Sequence, residues 1–253
     1  MKDEYFFGKD FNAGPFVLFS FQHWVAIACI VLAGFLIITT QRKTLPEERK
    51  KVRWLLAAIL VINEMTWQLW NLFTGQWTIQ TMLPFHLCSA LVWLTAYMLV
   101  TKNQTIYEFA YLIGIAGALQ AILTPDLGQY AFPHYRYFQV FVSHGCIIIA
   151  ALYMTLVEGF RPTWHSVKRV AIYGNIYMVA VFLLNLLIGS NYLFIAHKPE
   201  TASLLDVLPP WPIYILVIEI LAAVFILLFY APFAIKDGLK KTKISSSEVK
   251  ISR

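Results

Sequence analysis

The sequence is poor in charged residues and in cysteine, and both shortages exclude whole classes of protein. Only 13% of its 253 residues are charged and only three are cysteines, whereas ordinary soluble domains carry about 25% charged residues. Without a cysteine framework, a glycine-rich repeat or a heptad pattern, the chain is not a small disulfide scaffold, a collagen-like chain or a coiled coil. Apolar residues make up 59% of the chain, which is typical of an integral membrane protein of one domain.

Seven apolar runs are long enough to cross a hydrocarbon core about 30 Å thick, which takes roughly 20 helical residues. They lie at Phe16–Thr40, Trp54–Phe73, Ile79–Val100, Ile106–Thr124, Tyr137–Glu158, Lys168–Ser190 and Trp211–Ile235. We therefore predict an all-α, polytopic membrane helix bundle of seven transmembrane helices over residues 16–235. An extracytoplasmic segment (1–15) precedes it and a basic cytoplasmic tail (236–253) follows. The first run lacks a basic leader and a small-residue cleavage site, and Asp3, Glu4 and Asp10 precede it. We therefore interpret it as a retained span and not a cleaved signal peptide.

The basic residues divide unequally between the two sides of this bundle. Sixteen of the 20 Lys and Arg residues fall in the connections and tail on one side, and the other side holds Lys2, Lys9, Arg136 and Lys198. Because positive charge stays in the cytoplasm, this bias predicts an outside N-terminus and an inside C-terminus in a cell membrane. The net charge of +6 thus indicates orientation. The tail has no aromatic interleaving, so we expect no nucleic-acid partner, and no protein partner is indicated.

The polar side chains of the spans gather at one depth. Counted at 1.5 Å per residue, they lie roughly 9–14 Å below the outer surface, and the inner halves are nearly all apolar. The residues in this band are His23, Glu64, His86, Cys88, Gln120, Ser143, His144, Asn185 and Glu219. Gln68 lies one turn above Glu64, and Asn191 lies in the outer connection above them. One polar cavity in the outer half would explain the pattern. The alternative is that neighbouring helices satisfy each side chain separately.

Glu64, Gln68 and Asn71 recur at i, i+4 and i+7, so they form one stripe of a helix, which we expect to face the interior of the bundle. A carboxyl group at this depth needs a partner. The sequence leaves two possibilities open: one of the outer-half histidines pairs with Glu64, or Glu64 is protonated and hydrogen-bonded.

Cys88 is the cysteine with the most suggestive surroundings. It follows Pro84 by four residues, and a proline often begins a helix, so the thiol is predicted within the first two turns, where the macrodipole favours thiolate. Cys29 and Cys146 are expected to pack as small hydrophobic residues.

A buried thiol acts as a nucleophile only beside a base or a positive charge. His86 lies two residues from Cys88, about 200° around a helix, so its imidazole is expected to point away. His144 is predicted at a similar depth on another span and can reach Cys88. The pair is therefore a candidate nucleophile and base.

Four segments carry a resemblance to a known family: Leu83–Ser89, Ser143–Gly145, Asn185 with Gly189–Tyr192, and Ser203–Asp206 continuing to Pro210–Pro212. They resemble the bacterial YwaF-type integral membrane proteins, a family similar to the transmembrane protein 164 acyltransferases. The resemblance implies a cysteine that takes an acyl group from a phospholipid with help from a histidine, and these positions match Cys88 and His144. It implies membrane phospholipids or lysophospholipids as substrates and no cofactor. His23, His86 and Asn185 are then predicted, from depth, to donate to the oxyanion or to orient His144.

Two other functions compete with acyl transfer. His23, Glu64, His86 and His144 at one depth suggest a zinc-dependent lipid hydrolase, although no closely spaced ligand pair supports it. A transporter or sensor could use the same cavity, but no inverted repeat is evident and the inner halves lack polar residues. In the outer connection Asn191–Pro210, Ser203 and Asp206 are predicted to belong to a structural loop or lid.

Overall fold

The computed structural model describes residues 6–11, 14, 16–199 and 204–251, which form an all-helical structure with no strand among them. Most of the predicted N-terminal segment 1–15, Ser203 and the last two residues of the tail lie outside this part of the chain. The described residues form seven long helices: α1 (Phe21–Gln41), α2 (Pro46–Phe73), α3 (Leu87–Thr101), α4 (Gln104–Leu123, with a π-helical turn at Ala110–Gly114), α5 (Tyr135–Leu156), α6 (Trp164–Ile188) and α7 (Ile213–Ile251).

Five helices are long and apolar enough to cross a membrane: α1, α4, α5, α6 and residues 213–239 of α7. Of the other two, α3 is apolar but only 15 residues long, and α2 begins with the charged run Glu47–Arg53. The prediction of an all-α membrane bundle is therefore confirmed at the level of five candidate spans. The count of seven spans stays a prediction.

The third predicted span, Ile79–Val100, is wrong at its start. The helix begins at Leu87 and not at Pro84, and residues 79–86 form turns. Side chains bind the backbone of these turns: the hydroxyl of Tyr192 accepts from the N–H of Leu83 at 2.9 Å and donates to the carbonyl of residue 79 at 2.7 Å. The first part of this hydrophobic run is thus irregular and not helical, because the distant Tyr192 side chain forms hydrogen bonds with its backbone groups.

Helix α5 is the centre of the bundle. Of its apolar segment 72% is buried, against 11% for α6 and for α7, and it packs against α1, α2, α3 and α4. Gly145 allows the contact with α1 to be close, since a Cβ atom there would lie 2.9 Å from Cγ1 of Ile30. Any side chain that α5 directs toward α2 or α3 is therefore held by a tightly packed scaffold.

Successive helices run in opposite directions, so the bundle has two ends. At one end α2 ends and α3 and α5 begin, and we call it the Cys88 end. At the opposite end, which we call the Glu158 end, ion pairs connect the helices. Glu158 binds Arg53 at 3.3 Å and Lys102 at 2.5 Å, and the buried carboxylate of Glu108 binds Arg169 at 2.8 Å.

Candidate functional site

Cys88 is the second residue of α3, so the prediction that it lies within the first two turns of a helix is confirmed. The first backbone hydrogen bond of this helix is donated by Ala90 to the carbonyl of His86. The N–H groups of residues 87–89 therefore lack a partner within the helix and present partial positive charge at this end. Cys88 is half-buried, whereas Cys29 is exposed on α1 and Cys146 is buried in α5.

His144 lies on α5, the helix that packs against both α2 and α3. Its Nδ1 atom is 2.7 Å from the carbonyl oxygen of Val140. Because a carbonyl oxygen can only accept, Nδ1 carries the proton and the neutral ring has its lone pair on Nε2. The backbone thus sets the tautomer that a general base requires.

Arg136 is the residue of this site that the sequence reasoning missed. It is the second residue of α5, and its guanidinium lies 3.8 Å from the ring centroid of Trp67 and donates to the side-chain oxygen of Gln139. It interacts electrostatically with the Cys88 thiol, with Glu64 and with His144. Arg136 is therefore the common neighbour of the predicted nucleophile, the predicted base and the α2 carboxyl group.

The predicted polar stripe of α2 is confirmed. Glu64 and Asn71 are buried and Gln68 lies between them. The partner of Glu64 is Gln68, which donates to its carboxyl oxygen at 3.1 Å, and no described hydrogen bond joins Glu64 to a histidine. Gln68 is itself fixed, because its amide nitrogen also donates to the Met82 carbonyl and its oxygen accepts from Trp77.

Two of the predicted histidines lie apart from this cluster. His23 uses both ring nitrogens: Nδ1 accepts from the N–H of Phe19 at 2.9 Å, and Nε2 donates to the carbonyl of Ile122 at 2.8 Å. It thus fastens α1 to α4. His86 immediately precedes α3 and packs against Tyr192, with ring centroids 5.1 Å apart. The expectation that His86 points away from the thiol agrees with this contact.

The two predicted asparagines organise the connection that follows α6. The side-chain oxygen of Asn185 accepts from the hydroxyl of Ser190 at 2.7 Å and from the N–H of Tyr192 at 2.8 Å, and its nitrogen donates to the Tyr192 carbonyl. Asn191 bonds the backbone of His197 in the same way. Both side chains therefore form their hydrogen bonds with nearby groups of the same connection, which is the alternative to lining a cavity.

A sequence model of the TMEM164 family matches residues 18–230 of the chain. The chain belongs to the TMEM164 family. It is also similar to an uncharacterized protein of Treponema pallidum (strain Nichols), with 28% identity over 152 residues, which is 60% of this chain and 62% of that protein. The match thus spans less than two thirds of the relative's length. No solved structure matches this chain.

The remaining predicted residues of this TMEM164-family chain lie on α4, α5 and α7. Glu219 accepts from Asn175 at 3.1 Å between α7 and α6, and Gln120 is exposed on α4. Ser143 is buried next to His144 on α5. Within the described part of the chain, no three His, Cys, Asp or Glu side chains are grouped as metal ligands. His23, Glu64, His86 and His144 instead contact separate partners, so their arrangement adds no support to a zinc site.

Proposed function

We propose that this chain is a membrane-embedded lipid acyltransferase in which Cys88 is the nucleophile and His144 is the general base. Membership of the TMEM164 family is the observation that carries the proposal. Three features support it: the position of Cys88 in the first turn of α3, the His144 tautomer with a free Nε2 lone pair, and the shared electrostatic neighbour Arg136. The acyl donor is a membrane phospholipid, and the acceptor is a lysophospholipid.

In the proposed reaction, Nε2 of His144 takes the thiol proton and the thiolate attacks the carbonyl carbon of the donor ester. The backbone N–H groups at the start of α3 stabilise the tetrahedral oxyanion. When the intermediate collapses, the imidazolium returns the proton to the leaving alcohol, which departs as a lysophospholipid and leaves an acyl thioester on Cys88. The hydroxyl of a second lipid then attacks the thioester carbonyl while His144 takes the hydroxyl proton. The C–S bond breaks, the acyl group leaves as an ester of the second lipid, and His144 returns the proton to the Cys88 thiolate.

The thioester is the test of this proposal. Purified protein incubated with bacterial phospholipids should gain the mass of one acyl chain at Cys88, and hydroxylamine should remove it. Cys88→Ala should abolish the adduct, whereas Cys29→Ala, which changes an exposed cysteine on α1, should retain it. An unmodified wild-type protein under turnover, together with an active Cys88→Ala variant, would disprove the mechanism.

We further propose that all seven helices span a bacterial cytoplasmic membrane, with the N-terminus outside and the Cys88 end toward the outer surface. The excess of basic residues in the connections and tail on the other side supports this orientation. Single cysteines introduced at His197 and at Lys43 into a Cys29→Ala background should differ in labelling of intact cells. A membrane-impermeant maleimide should label position 197 and not position 43, and the reverse pattern would overturn the orientation.

A further inference from the structure

We propose that Arg136 is a phosphate-binding residue, which holds the phosphodiester of the lipid whose ester is presented to Cys88. This inference rests on the proposed function, because it names the group by which the substrate is recognised. Arg136 is the only arginine or lysine between positions 103 and 160, and it is one of few basic residues at the Cys88 end. Its presence beside the reactive pair therefore requires an explanation.

The guanidinium is held in place by neutral groups. Its central carbon lies over the ring of Trp67, 3.8 Å from the ring centroid, and the amide oxygen of Gln139 accepts a hydrogen bond from one of its N–H groups. Gln139 is in turn buried, and its backbone carbonyl accepts from Asn63 of α2 at 3.0 Å. An aromatic face and an amide fix the direction of a guanidinium without cancelling its charge.

The described hydrogen bond to Gln139 occupies one of five guanidinium N–H donors. Two carboxyl groups, those of Glu64 and Asp126, interact with Arg136 through the electrostatic field. The carboxyl group of Glu64 is bound by Gln68 at 3.1 Å. The guanidinium fork therefore retains donor capacity for an anion of matching geometry. Phosphate oxygens accept such a fork in a bidentate manner.

The position of Arg136 along the bundle matches the distribution of groups in a glycerophospholipid. Arg136 stands in the first turn of α5, and His144 follows eight residues later, which is about 12 Å deeper along the helix axis. A phospholipid has its phosphate at the membrane surface and its ester carbonyls on the glycerol just below. A phosphate bound by Arg136 therefore places the ester below it, toward the level of Cys88 and His144.

The test measures binding separately from chemistry, using the full-length Cys88→Ser protein in a phosphate-free maltoside detergent. The probes are dihexanoyl phosphatidylglycerol, dihexanoylglycerol without phosphate, and inorganic phosphate, each titrated by calorimetry. We expect the phospholipid to bind roughly tenfold to hundredfold tighter than the neutral lipid, as for a hydrogen-bonded charge pair. Adding Arg136→Gln should remove this preference and leave affinity for dihexanoylglycerol unchanged.

Arg42→Gln is the matched control, because Arg42 is an exposed arginine at the Glu158 end and its loss should leave the preference intact. A preference that survives Arg136→Gln would overturn the inference, as would an equal loss of affinity for both lipids. Inorganic phosphate that binds as tightly as the phospholipid would assign the site to free phosphate instead. Loss of the Cys88 thioester would disprove the proposed function without altering these affinities, so the two failures are distinguishable.

Discussion

Both ends of the bundle contain buried charged groups, but the partners of these groups differ between the two ends. At the Glu158 end, each buried carboxylate contacts a basic side chain directly, as Glu158 does with Arg53 and Lys102. At the Cys88 end, Glu64 and Arg136 are each bound by a glutamine, and they face each other only at longer range. A buried charge with a direct counter-charge is compensated within the fold, whereas a charge that is fixed by neutral groups keeps its capacity to bind a ligand or to act on a neighbouring thiol.

The two ends should differ most in the stability that is lost when one carboxylate at each end is neutralised. Glu158→Gln leaves Arg53 buried without its anion, since both side chains are less than 10% exposed, and should cost about 3–5 kcal/mol of stability. Glu64→Gln keeps an oxygen that can accept from Gln68, and should cost about 1 kcal/mol. Thermal unfolding in detergent, followed by intrinsic fluorescence, measures both.

The double variant Arg53→Met/Glu158→Leu provides the control for this comparison, because it removes both charges at once. It should recover most of the stability that Glu158→Gln loses. Equal destabilisation by Glu158→Gln and Glu64→Gln would mean that the two ends do not differ in the way described.

Packing, more than ion pairs, holds the part of α5 at the Cys88 end. A small change in this packing should therefore lower the stability of the protein. Gly145→Ala places a Cβ atom 2.9 Å from Ile30, which forces α1 away from α5 and should cost about 1–3 kcal/mol. It should also slow acylation of Cys88, because His144 is the adjacent residue. Gly174→Ala is the matched control: its Cβ atom would meet only Ile113, at 4.0 Å.

A stable or stabilised Gly145→Ala protein would show that the α1–α5 contact can relax without cost. The control should instead gain up to about 1 kcal/mol, because alanine is the better helix former and the position has room for a methyl group. We therefore expect the unfolding measurement to show a loss of stability for Gly145→Ala and a gain for Gly174→Ala.

The sequence predicts the all-helical class, the opposite directions of successive helices and the interior stripe of α2, because these depend on the spacing of apolar residues. It also predicts the position of Cys88 near a helix start. The same periodicity could have revealed Arg136, since Arg136, Gln139 and Ser143 recur at i, i+3 and i+7 on α5. A count of basic residues by side, by contrast, places Arg136 only among the four of the outer side.

The start of α3 and the partners of the other polar residues could not be predicted, because they depend on distant contacts. Tyr192 holds the segment before α3 out of a helix across more than 100 residues of sequence. His23 likewise finds its acceptor on Ile122, 99 residues away. Depth along a span shows which residues lie at one level, but not which of them face each other.

The smallest expected effect concerns acid, and it belongs to the cap of α5 at the Cys88 end. The Nδ1 atom of His134 accepts from the backbone N–H of Arg136 at 3.0 Å, so the cap requires a neutral imidazole. Burial lowers the pKa of His134 below its ordinary value of 6.5. A hydrogen bond to the backbone of Gly8 opposes this effect, and the field of Arg136 adds to it. Protonation therefore favours the unfolded chain. The stability that the neutral cap contributes is complete above about pH 6.5 and is lost as the pH falls below that value.

His134→Asn keeps a side-chain oxygen that can cap α5 but does not titrate. Between pH 7.5 and pH 5, the wild-type protein should lose stability relative to this variant by an amount on the order of 1 kcal/mol, the usual value of one helix cap. Thermal unfolding of the two proteins across this range measures the difference, and acid effects common to both cancel. Parallel curves would mean that His134 stays neutral to pH 5, or that its protonated form is accommodated, and the neutral cap would then not limit the acid stability of the Cys88 end.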